Sequence, residues 1–376
     1  MATLRQYFVA LNRLYRNLNS AYRQTGRSRL RQLREIAHLY RHAEQFGVDD
    51  YFEYRLFADG WNGPVTDVAG WRMSFWLDDR LNPRQWRHQS LNKLIMYRIL
   101  AEGGIPIPET QAVFAPQIPA GVSLPVITEP AALVQALRTV FRYPMFVKAV
   151  FGRSGIGATA LAGYDPESDC LLGVDGTRLQ MAALIEQLGR KEEDVWPEYG
   201  YLFQSLLRAH PRLEPVAGPL ISSARMVVLL HDHGPEIIGA TWKIIVGNNV
   251  NDNFHDGLTG NLLGMLDLDT GRLMRVVSGM GFAQKVLETH PNTGHRFLGV
   301  QMPDWDEALA IVGRGARLFP QLRFQHWDIA FTDSGPVALE MNVTGGLHLL
   351  QCPSSRGTYD IKLREFVSRY GQTATE

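Results

Sequence analysis

The spacing of apolar residues changes along this chain from a helical pattern to a strand-like one. Apolar positions recur every three to four residues over 3–22 and again up to about residue 45, which predicts two amphipathic helices separated by Thr25-Gly26. Residues 46–90 combine many aromatic residues with glycine and proline, and predict short elements packed on a larger body. No repeated strand–helix–strand unit is visible there, so the front of the chain is not predicted to be a Rossmann-type domain.

From Asn92 onward, helical and strand patterns alternate. Helices are predicted over 92–100, 130–142, 178–190, 304–318 and 359–370, with Asp304 as the N-cap of the fourth. Strands are predicted over 113–115, 145–151, 158–162, 201–207, 222–230, 236–245, 327–332 and 336–342. Segments 117–130 and 248–264 are rich in proline or in polar residues and are predicted to be loops. The fold class that follows is α+β, behind a mainly helical region 1–90.

The last two predicted strands form a hairpin that brings two carboxylates together. With the turn centred on Ser334, residues whose numbers add up to 668 face each other, so Asp328 lies opposite Glu340 and Asn342 shares their face. Opposed side chains in a hairpin have Cβ atoms about 4.5–5.5 Å apart, where like charges repel unless a cation lies between them. Such an oxygen set suits Mg²⁺ or Mn²⁺. A solvated hairpin with two unrelated acids is the alternative, and the apolar residues around them disfavour it.

Four basic residues lie within otherwise apolar helix or strand segments. A buried lysine or arginine is costly unless it has an anionic partner. Taken singly, each could be a structural cation with a satisfied partner; taken together with the acidic hairpin, they could converge on a triphosphate. The four are Lys93, Lys148, Arg225 and Lys243.

A glycine-rich segment, residues 152–157, joins two predicted strands. It matches neither the GxGxxG nor the GxxxxGK[ST] pattern and precedes no helix, so it has no helix N-terminus with which to hold phosphate. It can instead act as a mobile hairpin lid, with the backbone at Gly155 approaching an anion and Arg153 and Ser154 adding donors. An ordinary glycine-rich hairpin tip is an equally good interpretation of this segment alone.

Two further segments supply candidate substrate contacts. The polar loop 248–264 holds Asn253 and His255, of which the histidine could be an acid–base group, although a hydrogen-bonded loop histidine is the commoner case. The turn after the hairpin holds Gly345 and Gly346, whose backbone could touch substrate.

Composition and charge exclude several classes of function. With 38 basic and 38 acidic residues the formal net charge is zero, so no overall field favours nucleic acid. The apolar runs are far shorter than the roughly 18 residues that a membrane span needs, and no signal-peptide core follows Met1. Cys170 and Cys352 lie in no metal-binding or disulfide pattern, so a reduced, cytoplasmic protein is expected.

The first 45 residues are nevertheless strongly basic. They carry nine arginines and, before Glu44, a single acid, Glu35. Such a segment could contact an anionic lipid surface, an acidic substrate or an acidic partner. A solvated helix face is the simpler interpretation and is preferred on the sequence alone.

From about residue 90 to its end, the chain resembles the ATP-grasp superfamily. The resemblance rests on Asn92-Lys93, Phe146-Val147-Lys148 with the hairpin that follows, Phe203-Gln204-Ser205, Arg225, Lys243, and WDIAFTDSGPVALEMN, which ends at Asn342. The segments HPNTG (290–294) and VQMPDW (300–305), together with WDIA, further resemble the sugar-transfer-associated ATP-grasp branch. Many relatives carry an α/β domain ahead of the grasp, whereas region 1–90 is predicted here to be helical, so the resemblance does not carry a substrate with it.

The resemblance implies that ATP lies between two α+β subdomains, 91–203 and 204–376. It implies phosphate binding by Lys93 and Lys148, with Arg153, Ser154 and Gly155 of the lid, and adenine contact by Gln204, Ser205 and Leu206. It further implies that Arg225 and Lys243 act as catalytic residues on the γ-phosphate or an acyl phosphate, and that Asp328, Glu340 and Asn342 carry the metal ion.

The favoured function is an ATP- and Mg²⁺-dependent carboxylate–amine ligase that forms an amide bond through an acyl phosphate. Its partners would be a small carboxylate and a small amine, and a homodimer is compatible with this class. One alternative is a kinase on the same scaffold that passes the γ-phosphate to a hydroxyl group or a phosphosugar. Another is a non-catalytic nucleotide-binding accessory protein of a polysaccharide pathway, which would dock through the arginine-rich helices.

Overall fold

The helices and strands of this chain form a helical front and two sheets behind it. The computed structural model describes residues 4–117, 123–152, 155, 157–191 and 196–372. The helices are α1 (Leu4–Thr25), α2 (Arg29–His42), α3 (Asp50–Glu53), α4 (Trp71–Leu81), α5 (His88–Leu91), α6 (Lys93–Glu102), α7 (Pro130–Thr139), α8 (Met181–Gly189), α9 (Glu214–Ala217), α10 (Trp305–Ala316), α11 (His348–Ser354) and α12 (Ile361–Tyr370).

The strands fall into two groups along the chain, with the division between the seventh and the eighth. The first seven are β1 (Thr110–Phe114), β2 (Val126–Ile127), β3 (Met145–Ala149), β4 (Thr159–Asp165), β5 (Cys170–Gly173), β6 (Arg178–Gln180) and β7 (Tyr201–Ser205). The second seven are β8 (Ala224–His231), β9 (Gly234–Ile244), β10 (Leu262–Leu266), β11 (Leu273–Ser278), β12 (Lys285–Leu287), β13 (Phe324–Thr332) and β14 (Gly335–Asn342). The predicted α+β class with a helical N-terminal region is confirmed.

Helices α1 and α2 form a hairpin held by one buried amide. Ser28 caps α2 by accepting a hydrogen bond from the backbone N–H of Arg31. The buried side chain of Gln32 donates to the backbone carbonyls of Leu18 at 3.2 Å and Arg27 at 2.8 Å. Both predicted N-terminal helices therefore exist. None of the helices in the described residues is both long enough and apolar enough to cross a bilayer.

The first sheet has the strand order β2-β1-β7-β3-β4-β5-β6 and is antiparallel except between β1 and β2. Strands β3 and β4 pair directly, so the glycine-rich segment does join two strands of a hairpin. The sequence prediction missed β2, β5 and β6, which have only two to four residues and lie toward the sheet edges. The predicted helix at 178–190 begins later, at Met181, because residues 178–180 pair with β5.

The second sheet is antiparallel throughout, in the order β12-β11-β10-β9-β8-β13-β14. Helix α10 packs on it through Ile311 and Val312, which share one apolar cluster with Trp327 of β13. Asp304 precedes α10 in a left-handed conformation, with φ of 48°, and its side chain makes no capping hydrogen bond. Asp304 thus occupies the predicted N-cap position and the helix begins where expected, but the Asp304 side chain does not cap it.

The acidic hairpin has the predicted register at Asp328 and Glu340, but its turn and the pairs near the turn differ from the prediction. Asp328 faces Glu340, as predicted, whereas the turn lies at Asp333-Ser334 because Thr332 pairs with Gly335. A bulge compensates: Ile329 pairs with Ala338, so Leu339 is an extra residue on β14. The prediction placed the turn half a residue too late and was correct at Asp328 because of this bulge.

The packing of α10 on β13 leads to a test of stability. A Cβ added at Gly315 would lie 2.5 Å from the ring of buried Trp327, whereas one at Gly313 of the same helix would meet nothing closer than 3.9 Å. We expect Gly315→Ala to lower the free energy of unfolding by about 1–3 kcal/mol through overpacking. Gly313→Ala should instead raise it by roughly 0.5–1 kcal/mol through helix propensity. Urea denaturation measures both; equal effects of the two substitutions would contradict the described packing.

Candidate active site

A cavity of about 510 Å³ lies between the two sheets and collects the predicted site residues. Every predicted site residue that the structure describes lines it: Lys93, Lys148, Gly155, Gln204, Ser205, Leu206, Arg225, Lys243, Asn253, His255, Asp328, Glu340, Asn342, Gly345 and Gly346. The remaining two, Arg153 and Ser154, lie outside the described residues. Residues from distant parts of the chain thus share one concave surface, which is the usual form of a small-molecule site.

The floor of the site on the second sheet is a row of polar residues on four adjacent strands. Thr241 of β9 faces Arg225 of β8, Arg225 faces Asp328 of β13, and Asp328 faces Glu340 of β14. Directly opposed residues on antiparallel strands share a face of the sheet. Lys243 is two residues beyond Thr241 and therefore lies on that face too. The antiparallel pairing alone places these groups side by side.

Asp328 is held by two cations rather than left to repel its neighbour. Its Oδ1 and Oδ2 accept hydrogen bonds from Arg225 Nε at 2.7 Å and Nη2 at 2.9 Å, a bidentate pair. Lys243 Nζ lies 3.3 Å from Asp328 Oδ1 and 3.0 Å from Asp252 Oδ1. The structure thus corrects the premise that only a metal ion can relieve the repulsion between the hairpin carboxylates.

These groups remain charged at neutral pH. Burial by itself raises the pKa of Asp328, but Arg225 and Lys243 outweigh it and lower the pKa to about 2. Burial likewise lowers the pKa of Arg225, yet the Asp328 carboxylate leaves it raised overall. For Lys243, burial is outweighed by Asp252 and Asp328, and its pKa is also raised. The cluster is a fixed set of full charges beside the cavity.

Glu340 has its own cation, Lys93, at the start of α6. Lys93 Nζ lies 3.1 Å from Glu340 Oε1 and donates to the carbonyl of Gly152 at 2.9 Å. Asn92 fixes the start of α6 by accepting hydrogen bonds from two backbone N–H groups of that helix. Lys93 therefore links the end of the acidic hairpin to the start of the glycine-rich segment.

Lys148 is the cation of the site without a direct carboxylate partner among the described residues. Its Nζ donates to the Tyr97 hydroxyl at 2.6 Å, and that hydroxyl donates to the carbonyl of Leu339 at 2.7 Å. Burial lowers the pKa of Lys148 to about 8, partly offset by Glu340 and Asp328. A desolvated cation beside an open cavity gains from an anionic ligand, because the ligand's charge offsets the cost of burial.

A metal ion would have a limited set of oxygen ligands here. Glu340 and Asn342 both line the cavity on β14, and the carboxylate and amide oxygens they carry suit Mg²⁺. Asp328 has less capacity, since both its oxygens already accept hydrogen bonds. Within the described part of the chain, no three His, Cys, Asp or Glu side chains are grouped as a metal site. The donor set thus fits a cation that also takes oxygens from a bound phosphate.

The candidate substrate residues lie at the part of the cavity wall beside two buried histidines. A Cβ on Gly345 would lie 2.5 Å from the His326 ring, and one on Gly346 would lie 2.1 Å from His348 Nδ1, so glycine is required at both positions. Burial lowers the pKa of both histidines to about 3, and both rings are neutral at physiological pH. His255 lines the cavity with a left-handed backbone, at φ of 43°.

Sequence reasoning missed a wall of the cavity that comes from the N-terminal region. Trp71 and Phe75 of α4 line the cavity, and the Trp71 ring lies 4.7 Å from that of His348. The high density of aromatic residues in 46–90 is the sequence feature that could have indicated this wall. The sequence prediction also missed Tyr97 and Asp252, which hold Lys148 and Lys243; a tyrosine on a helix and an aspartate in a polar loop have no pattern that marks them.

Two largely antiparallel sheets that close on a cavity lined by four cations and an acidic hairpin define an ATP-grasp type of protein. The chain belongs to the sugar-transfer-associated ATP-grasp family, whose sequence model matches residues 72–365. The superfamily and the branch expected from the sequence motifs are both confirmed.

A comparison with solved structures found 297 chains that match this one. One is the biotin carboxylase–β-γ-ATP complex from Campylobacter jejuni, with TM-score 0.46, 9% identity, and coverage of 79% of this chain and 50% of that one. The L-amino acid ligase from Bacillus licheniformis has TM-score 0.36, 12% identity, and coverage of 70% and 42%. The ATP-grasp ligase PsnB with its minimal precursor has TM-score 0.40, 14% identity, and coverage of 77% and 64%.

This chain therefore matches between 42% and 64% of the length of these three proteins. A search of the curated proteins found no significant match.

The Arg225–Asp328 pair makes a prediction about stability and pH. Asp328→Asn leaves two buried cations short of a counter-charge and should lower the free energy of unfolding by about 3–5 kcal/mol at pH 7. Because the pKa of Asp328 is depressed from 3.8 to about 2, its contribution is complete above pH 4 and is lost as the pH falls through 2. The difference between variant and wild type should therefore shrink over that range.

Denaturant titrations at a series of pH values measure this difference. Glu102→Gln, which removes one side of the exposed Arg98–Glu102 pair, is the control and should change stability by no more than about 0.5 kcal/mol. A difference between Asp328→Asn and wild type that stayed constant from pH 7 to pH 2 would contradict the assigned pairing.

Proposed function

We propose that this protein is an ATP-dependent carboxylate–amine ligase that works with Mg²⁺. The observation that carries the proposal is the arrangement of four cations around one cavity, two from elements before β8 and two from the second sheet. Family membership supports ATP as the nucleotide. The cations and the acidic hairpin together suit a polyphosphate and its metal ion.

In this proposal the adenine lies against the end of β7, at Gln204, Ser205 and Leu206. Phe146, which pairs with Gln204 from the adjacent strand β3, lines the same cavity, as does Leu339 of β14, and both suit a planar base. Gln204 donates its side-chain amide to the Thr110 hydroxyl at 3.0 Å, which keeps that side chain within the sheet. The polar contacts to the base are then assigned to the backbone that follows β7, where Leu206 and Leu207 line the cavity.

Lys148 and Lys93 bind the phosphates, with the lid residues Arg153, Ser154 and Gly155 assigned to the same role. Lys148 has no competing carboxylate among the described residues, so its charge is available to the nucleotide. Lys93 already pairs with Glu340, and a metal ion held by Glu340 and Asn342 would lie beside it. Mg²⁺ would neutralise phosphate charge as it develops, which is its usual contribution to phosphoryl transfer.

Arg225 and Lys243 act on the transferred group. Asp328 takes two of the five N–H donors of Arg225, which leaves others for a phosphoryl oxygen. The substrate carboxylate attacks the γ-phosphorus while its bond to ADP breaks, giving an acyl phosphate. The amine then attacks the acyl carbon, and inorganic phosphate and a proton leave. Because Asp328 and Asp252 fix both cations beforehand, little reorganisation is needed during transfer.

The acceptors enter beside α4 and the loop that carries Asn253 and His255. Trp71 and Phe75 supply exposed aromatic surface there, with 36% and 58% of each residue accessible. Gly345 and Gly346 allow the chain to approach closely on the same wall. We therefore assign this part of the cavity to the carboxylate and amine substrates.

An assay with hydroxylamine tests the reaction. With ATP, Mg²⁺ and a panel of carboxylates, the protein should release ADP and form a hydroxamate, because hydroxylamine intercepts an acyl phosphate. Glu340→Gln should lower turnover about 10²–10³-fold, the usual effect of removing one group that stabilises developing charge. Glu102→Gln, on the exposed face of α6, is the matched control.

The outcomes separate the candidate activities. ADP release without hydroxamate would indicate a kinase and overturn the ligase. ATP binding with no ADP release for any acceptor would indicate a nucleotide-binding accessory protein. Full turnover by Glu340→Gln would contradict the metal role of Glu340.

The lowered pKa of Lys148 predicts how nucleotide binding depends on pH. The charged form binds phosphate, so ATP affinity should be highest below pH 8 and should fall as the pH rises through 8. Lys148→Arg should extend tight binding beyond pH 9, since a guanidinium stays protonated. Lys148→Met should weaken binding about 10- to 100-fold at pH 7, as expected for a lost hydrogen bond to a charged group.

Isothermal titration calorimetry from pH 6.5 to 9.5 measures these affinities. Lys362→Met, at a side chain that is 72% exposed, is the matched control and should leave the profile unchanged. An ATP affinity of wild type that did not change between pH 7 and pH 9.5 would contradict the role of Lys148.

A further inference from the structure

The first half of α1 projects away from the body of the protein. Residues 5–13 are exposed at every position, and packing begins only with Leu14, Leu18 and Ala21 in the second half. An isolated helical segment of this length is marginal in water, because most helix stability in proteins comes from packing one face. We therefore expect these exposed turns of α1 to be covered by another surface.

The exposed part of α1 has a continuous apolar strip. Tyr7, Phe8, Leu11 and Tyr15 are 61%, 70%, 64% and 63% exposed. At about 100° per residue, these four positions fall within an arc of roughly 100° on one side of the helix. Scattered exposed apolar residues are normal, but an apolar strip along one helix face marks an interaction surface.

The charge of α1 indicates what kind of surface this strip meets. The helix carries four arginines, Arg5, Arg13, Arg16 and Arg23, and no acidic residue. If Tyr7 is placed at zero, they lie at about 160–240°, so they begin about 60° beyond the edge of the apolar strip and flank it. Of the four, only Arg13 forms an ion pair within the described residues, with exposed Asp49 at 2.7 Å.

Helix α2 extends this surface. Leu30, Leu33 and Tyr40 are 61%, 42% and 67% exposed. Arg29, at the start of α2, lies with its guanidinium 5.0 Å from the ring centroid of Tyr22, so the exposed side of α1 adjoins α2. The pair of helices thus presents apolar side chains flanked by arginines.

We propose that α1 and α2 form a peripheral docking surface for an anionic lipid membrane. A basic amphipathic helix lies in the plane of the interface with its apolar face in the headgroup–acyl boundary and its arginines at the lipid phosphates. Tyrosine, with an apolar ring and a polar tip, suits this boundary. A second copy of the chain fits less well, because its α1 has no acidic residue that could pair with these arginines, whereas lipid phosphates can.

This surface is separate from the catalytic cavity, whose lining begins at Trp71. Docking therefore does not rest on the proposed ligase activity, and either can fail without the other. It also gives the arginine-rich segment a role that the solvated-face interpretation does not, since that interpretation leaves Phe8 and Leu11 in water.

Cosedimentation of the full chain with lipid vesicles tests the proposal. The protein should pellet with vesicles of phosphatidylcholine and phosphatidylglycerol, should remain soluble with phosphatidylcholine alone, and should be released at high salt. Arg5, Arg16 and Arg23, changed together to Gln, should weaken binding by about two orders of magnitude, since each basic residue near an anionic surface contributes roughly fivefold.

Two further variants separate docking from effects on folding or on general charge. Phe8→Ser with Leu11→Ser should abolish pelleting, whereas Leu298→Ser, at a residue that is 82% exposed elsewhere, should not. Changing Arg84, Arg98 and Arg190 together to Gln removes three exposed charges outside α1 and α2 and should leave pelleting unchanged. Circular dichroism and ATP binding should be unchanged in the α1 variants.

Three results would overturn the proposal. The first is failure of the wild-type protein to pellet with anionic vesicles at low salt. The second is an equal loss of binding by the α1 and control variants. The third is a dimer, seen by sedimentation velocity without lipid, that Phe8→Ser with Leu11→Ser dissociates; this result would assign the strip to a second copy of the chain.

Discussion

The bidentate pair between Arg225 and Asp328 is the interaction on which the rest of the site depends. It joins two adjacent strands of the second sheet, β8 and β13, and Lys243 completes it from β9. Removing one member of a buried pair leaves a charge that the interior cannot solvate. The pair therefore restricts the sheet to one register at the point where Glu340, on the next strand, faces the cavity.

The same arrangement explains why the site can hold so many charges. Asp328, Glu340 and Asp252 each have a cation within 3.1 Å, so these three carboxylates are balanced by three cations without a ligand. Lys148 differs, because its hydrogen bond goes to the neutral Tyr97, whose pKa is raised by burial. The charges on the second-sheet side of the cavity thus balance each other, whereas the first-sheet side carries the positive charge of Lys148. A polyanion entering the cavity gains most at Lys148 and disturbs the paired residues least.

Sequence patterns correctly predicted the parts of this structure that depend on local spacing. The helices at the front, the acidic hairpin and the four cations on apolar elements could all be recognised, because periodicity and out-of-place charges are local signals. The family was recognised from short motifs, and the match to residues 72–365 confirms it. Strands such as β2, β6, β10 and β11 were missed because pairing with neighbouring strands, rather than their own composition, makes them strands.

The partners of the cations escaped prediction for a related reason. Tyr97 reaches Lys148 from 51 positions away, and Asp252 reaches Lys243 from a loop whose path no spacing rule describes. The predicted pairing of Asp328 with Glu340 was correct only because the bulge at Leu339 offset the misplaced turn. Register at a bulge depends on tertiary contacts, here including the hydrogen bond from Tyr97 to the Leu339 carbonyl.

The aromatic contacts of the N-terminal region bear on where an independently folding unit could begin. Phe57 stacks on Phe282 at 5.2 Å, and Met73 and Leu77 share an apolar cluster with Phe324 of β13. A chain starting near residue 91 would open this shared interior to water on the remaining sheets. The helical front is therefore a structural part of the protein, and a shortened chain lacking it would be prone to aggregate.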